Sequence, residues 1–166
     1  MPKAKTRTQM PTRPNGAAAD AIADTRMLLD DAARRAVAYL AGADHRSVYP
    51  GAAGIEGLAA FDEPLPIDPP AMGDTLALLD HAGSPATVAS AGRRYFGFVI
   101  GGALPETLAA NWLAGAWDQN AGLAIASPVA TRLETVALRW LVDVLGLPAD
   151  AGGSFVTGAT MANFSG

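Results

Sequence analysis

One stretch of this chain is punctuated at both ends and periodic throughout, and it does most to limit what the chain can fold into. Ser127 suits an N-cap, Pro128 suits the first helical position, and Gly146 and Pro148 stop what lies between. Inside those marks Leu133, Val136, Ala137, Trp140, Leu141 and Val144 recur at helical spacing and trace one apolar stripe. A helix with such a stripe has to bury it against another surface. Glu134 falls off the stripe and by periodicity reads as solvated.

The rest of the chain offers further helices and two short strand signals. Asp20–Leu40 carries Ile22, Leu29, Ala33, Ala36, Val37 and Leu40 at helical spacing, with Asp20 and Asp24 near the start where negative charge suits the helix dipole. Between Gly42 and Pro70 five prolines and several glycines predict an extended strap with little regular structure. Ala71–His81 fits a short helix through Met72, Leu76 and Leu79, ended by Gly83 and Pro85. Tyr95–Ile100 is aromatic and β-branched, which favours extended backbone until Gly101-Gly102. Pro105 then opens a helix with Leu108, Trp112 and Ala116 on one face, leaving at Asp118-Gln119-Asn120.

Composition narrows the function classes. Half of the residues are apolar and only 17% are charged, so much of the surface is expected to be covered, by further sequence or by a partner. A net charge of −4 gives no electrostatic footprint for nucleic acid, and the basic N-terminal cluster is short and diluted by Pro and Thr. Without cysteine there are no disulfides or thiolate metal sites, which fits the cytoplasm. Pro11, Pro14 and Gly16 break any apolar run after the basic N-terminus, so neither a signal peptide nor a membrane span is expected. His45 and His81 lack companions at metal-ligand spacing, and Trp112, Trp117 and Trp140 read as packing anchors.

The last twelve residues, Phe155-Val-Thr-Gly-Ala-Thr-Met-Ala-Asn-Phe-Ser-Gly166, read as a short buried strand, a turn hinged on Gly158 and the first turn of a helix. Unpaired amides at such a helix start hold a phosphate well, and an ordinary turn between strand and helix has the same composition. Both readings stand on these residues alone.

Four ordered blocks carry a resemblance. Arg94-Tyr-Phe-Gly-Phe-Val-Ile-Gly-Gly-Ala-Leu-Pro105, Trp117-Asp-Gln-Asn120, Ser127-Pro128 with Leu133-Glu134, and Phe155 to Phe164 together resemble the group II pyridoxal-phosphate decarboxylases, the family of aromatic amino acid and glutamate decarboxylases. The resemblance covers about residues 20–166 and is dense from Arg93 onward. It implies a chain that is mostly α as it stands, leading into the start of an α/β large domain of the fold type I transferases. The implied organisation is a disordered tail over 1–19, a helix and dimer-wrapping segment over 20–92, a helical segment over 93–150 that packs on the cofactor domain, and the start of that domain over 151–166.

Residue by residue, the resemblance implies that Ala159, Thr160 and Met161 contact the phosphate of pyridoxal 5'-phosphate, Thr160 with a hydroxyl and Met161 through its main chain only. Asn163 matches a polar position near the cofactor ring. Phe98, Val99, Gly101, Gln119 and Asn120 match the wall around the substrate side chain, with an ordinary core strand and a helix-end cap as the bland alternatives for the two groups. It further implies decarboxylation of an α-amino acid by a homodimer.

That chemistry needs a lysine amine to hold the cofactor carbonyl. The only lysines are Lys3 and Lys5, in a Pro- and Thr-rich stretch unsuited to a dry pocket. The expectation is therefore a fragment with no catalytic residue of its own, inactive alone, whose relatives carry the lysine, the stacking histidine and the aspartate that pairs with the pyridine nitrogen beyond the position of Gly166. Two alternatives stay open: another fold type I enzyme, an aminotransferase or carbon–carbon lyase, and a non-catalytic helical dimerisation module.

Overall fold

Helix caps and apolar periods written in the sequence become seven helical segments in a computed structural model, which describes residues 15–166. Helix α1 spans Asn15–Gly42, α2 Ala52–Gly57, α3 Met72–Leu78, α4 Ser84–Ala86, α5 Pro105–Trp117, α6 Pro128–Val144 and α7 Ala159–Ser165. A 3₁₀ turn, Leu58–Phe61, extends α2, and a π-type segment, Leu79–Gly83, joins α3 to α4. The described chain is mostly helical and contains no strand. It divides into two compact units, one running to Ala103 and one from Leu104 to Gly166.

Four sequence expectations change on contact with these elements. The helix foreseen from Asp20 already includes Asn15, so the tail expected over 1–19 falls outside the described residues only in its first fourteen positions. The proline-broken strap contains α2 and its 3₁₀ extension, because Ala52–Phe61 itself is free of proline and rich in alanine. Pro85 does not end the third helix. It sits in the first turn of α4, where its missing N–H costs nothing.

The fourth change concerns both extended segments. Phe155 and Val156 form no strand and are exposed, since no neighbouring strand among the described residues pairs with their backbone. Tyr95–Ile100 forms no strand either and ends in a turn, Gly97–Ile100, in which Phe98 and Val99 both adopt positive φ, at 53° and 55°.

Within the first unit the core is small and made of small residues. Ala43, Pro50, Ala82 and Ala89 are buried where the end of α1, α2 and the π-type segment meet. Such packing brings backbones together: a Cβ on Gly54 would lie 2.7 Å from the Pro85 carbonyl oxygen. Polar clasps complete it. Arg46 donates to the carbonyls of Ser84, Pro85 and Thr87 at 2.8, 3.2 and 2.7 Å, so one guanidinium closes the open C-terminal end of α4. Its charge lies 5.4 Å from the centre of the Tyr39 ring, and the Tyr39 hydroxyl meets that of Thr87 at 2.8 Å.

A second clasp joins α1 to the π-type segment. Arg35 bridges Asp31 on its own helix, at 2.7 Å, and Asp80, at 2.8 Å, while the Ser84 hydroxyl donates to Asp80 at 2.7 Å. The Arg35 guanidinium holds the Asp31 carboxyl below its ordinary value, with Arg34 adding to it; the Ser84 hydroxyl and then Arg35 do the same for Asp80. Asp31 in turn holds the Arg35 guanidinium above its ordinary value. The side of α1 that packs carries Asp31 and Arg35 together with Leu28 and Ala32, and the large residues of the expected apolar stripe, about 160° round from Asp31 and Arg35 at 3.6 residues per turn, are left open. Ile22 is 71% and Val37 66% exposed.

Within the second unit the helices are well ended and little packed. Ser127 is fully buried and its hydroxyl accepts from the Ala130 N–H at 3.3 Å, the expected N-cap of α6. Gly146, at φ 64°, ends α6, with the Leu147 N–H donating to the Val142 carbonyl at 2.9 Å and the Gly146 N–H to Asp143 at 3.1 Å. That is the Schellman arrangement, and its left-handed position explains glycine there. Yet none of α5, α6 and α7 contains a buried residue, and the stripe on α6 stays open, with Val144 79% exposed.

Candidate functional site

The residues expected to hold a phosphate lie at the start of α7. Gly158 precedes the helix at φ 155° and ψ 174°, a conformation that side chains disfavour, although a Cβ there would meet no atom within 4 Å. The requirement for glycine is therefore one of backbone and not of space. The hydrogen-bond ladder of α7 begins with the Ala162 N–H donating to the Gly158 carbonyl at 3.0 Å. Ala159, Thr160 and Met161 precede that bond, and no side chain caps them. Three amides thus open together at the positive end of a short helix dipole.

Thr160 and Asn163 are exposed, and neither side chain makes a hydrogen bond to another described residue. The Thr160 hydroxyl is free to add to the amide cluster. Pyridoxal phosphate fits these residues at its phosphate and not at its carbonyl: the described residues contain no lysine, and Lys3 and Lys5 lie outside them.

The five expected wall residues are divided between the units. Phe98, Val99 and Gly101 belong to the first, in the turn closed by the Ile100 N–H donating to the Gly97 carbonyl at 3.1 Å, and both side chains stand in solvent. Gln119 and Asn120 belong to the second. Gln119 donates through Nε2 to the Trp117 carbonyl at 2.9 Å, and Asn120 accepts from the Gly122 N–H at 2.9 Å. With Asp118 in the left-handed region at φ 47°, these residues terminate α5 and shape the turn after it. Helix termination, the plainer of the two sequence readings, is the job they do within this unit.

A cavity of about 480 Å³ escaped the sequence reading. It lies in the first unit among Tyr39, Arg46, Ser47, Tyr49, Pro50 and Ser84. Arg46 makes it look suited to an anion, but the guanidinium spends both terminal nitrogens on backbone carbonyls. What remains on its wall is hydroxyls: that of Ser84 already donates to Asp80, which Arg35 holds in an ion pair, and no carboxylate or histidine lines the cavity itself, so it offers shape and no free catalytic base. Arg46 follows α1 in a stretch with no period, and nothing local signals that it reaches across to α4.

No helix among the described residues is long and apolar enough to cross a membrane, and no group of three His, Cys, Asp or Glu is placed to hold a metal ion. Compared with known proteins, the chain matches no family model and no curated protein.

Proposed function

We propose that this chain is the N-terminal part of a pyridoxal-phosphate-dependent amino acid decarboxylase of the group II family, cytoplasmic and homodimeric, and that it holds the cofactor phosphate without completing the active site. The observation that carries the reading is the start of α7, where a glycine-only backbone leaves three amides open in the positions that the sequence blocks assign to the phosphate. Helix starts at Pro105 and, capped by Ser127, at Pro128 fall at the ends of two of the ordered blocks and are compatible with the reading.

Bound pyridoxal phosphate supplies an electron sink for cleavage at the α-carbon of an amino acid. Within that reaction this chain's residues bind and orient. The Ala159, Thr160 and Met161 amides and the Thr160 hydroxyl neutralise the phosphate, and Asn163 stands one turn further along the same short helix. Phe98, Val99, Gly101, Gln119 and Asn120 border the substrate side chain. Decarboxylation is preferred to transamination or carbon–carbon cleavage by the resemblance alone.

A second reading, a non-catalytic dimerisation module, draws support from the open apolar stripes of α1 and α6. Amide chemical-shift titrations of the isotopically labelled chain separate the two. Pyridoxal 5'-phosphate is expected to shift Ala159, Thr160 and Met161, unphosphorylated pyridoxal to leave them in place, and Gly158→Val to abolish the response. Equal, or absent, responses to the two compounds would remove the decarboxylase reading and leave the module.

A further inference from the structure

The turn Gly97–Ile100 puts two residues with side chains, one of them β-branched, into the left-handed region in succession, with φ of 53° at Phe98 and 55° at Val99. A turn with both central residues left-handed is the form that Asn-Gly suits and that a β-branched residue suits least. Strain of this kind persists where surroundings enforce it. Here they do not: Phe98 is 91% exposed, Val99 is fully exposed, and the single hydrogen bond closing the turn is Ile100 N–H to Gly97 carbonyl. The same residues have strong intrinsic preference for extended backbone. Glycines lie on both sides; at Gly101 a Cβ would meet nothing within 4 Å, whereas at Gly97 it would meet the Tyr95 hydroxyl at 3.1 Å, so the room to swing lies on the Gly101 side.

We infer that Gly97–Gly102 is a two-state loop, whose left-handed turn is a strained open form and whose second form is extended. Extension sends successive side chains to opposite faces, so Phe96, Phe98 and Ile100 gather on one side and Tyr95 and Val99 on the other. In the open form Phe96 and Phe98 both stand in water. The extended form joins the apolar side chains of one face into a continuous strip, which the left-handed turn breaks. One consequence rests on the decarboxylase reading: the part of the substrate wall formed by Phe98 and Val99 changes shape with the loop. The two-state loop itself stands on the backbone and is independent of that reading.

Two variants bracket the equilibrium. F98N/V99G favours the left-handed pair, whereas V99P fixes φ at that residue near −65° and pushes Phe98 toward extended backbone. Backbone carbon shifts at Gly97 and Ile100 and amide relaxation dispersion at Ile100 are compared in the whole chain. The unsubstituted protein is expected to show carbon shifts between those of the two variants, or microsecond-to-millisecond exchange at Ile100 that both variants lose. Shifts coinciding with F98N/V99G and no exchange would mean a static turn. Shifts coinciding with V99P and no exchange would mean a permanently extended segment, and either result overturns the inference.

Discussion

The two compact units are built from helices of similar quality but are held in different ways. In the first, side chains distant in sequence close on one another: Arg46 reaches the end of α4 some forty residues on, Arg35 bridges Asp31 to Asp80, and alanines fill the narrow core. In the second, nearly every identified bond is local, made by Ser127, Gln119, Asn120 or Gly146 within a few residues of its own position. Good caps define where helices begin and end. They do not by themselves create a core.

Removing Arg46 breaks the first unit most directly. Arg46→Ala leaves three carbonyls of the α4 end uncapped and should destabilise that unit by about 2–3 kcal/mol, read from denaturant unfolding. Arg46→Lys should recover only part of it, because an ammonium cannot span the same fork. An unfolding midpoint unmoved by Arg46→Ala would show that the clasp is ornamental.

Glycine substitutions sharpen the contrast by differing in sign. Gly54→Ala drives a methyl into the Pro85 carbonyl and should cost about 1–3 kcal/mol. In the second unit a Cβ on Gly115 meets nothing within 4 Å, so Gly115→Ala within α5 should add roughly 0.5–1 kcal/mol through helix propensity. Thermal melts of the two variants moving in the same direction would contradict this division. Ser127→Ala removes the α6 N-cap and should lower stability by about 1 kcal/mol, with the loss confined to the second unit when followed by residue-resolved exchange.

The smallest effect at neutral pH belongs to the carboxylates. Asp31 and Asp80 have folded-state values below the ordinary 3.8, so their contribution is present above that value and fades as pH falls through the lowered ones. Acid titration followed at α1 should therefore show weakening of the first unit below about pH 4, and Asp80→Asn should flatten that dependence. An unchanged acid limb in Asp80→Asn would remove the Arg35 bridge from the account.

These differences explain what was legible in the sequence. α6 was readable to within a residue because its cap, its proline, its period and its terminal glycine are all local, and the start of α5 at Pro105 was readable for the same reason. The hinge at Gly158 and the helix after it were readable too, as a glycine requirement followed by helix formers. Illegible were the contacts made at long separation, such as Arg46 to Ser84 and Arg35 to Asp80, since neither carries a periodic or turn signal. The face of α1 that packs was misjudged by period alone: Leu29 and Val37 promised the buried side, and the charged side with Asp31 and Arg35 took it. At Phe98 and Val99 local preference points to extension and the backbone answers with a left-handed turn, the clearest conflict in the molecule.

Hydrogen–deuterium exchange across the whole chain tests most directly the claim that long-range clasps hold the first unit while local caps alone hold the second. The amides of α1 from Asp31 onward and of Leu79–Ala86 should be the slowest, with α5 and α6 exchanging faster despite their better local signals. Protection in α5 and α6 equal to or above that of the clasped region would contradict the account.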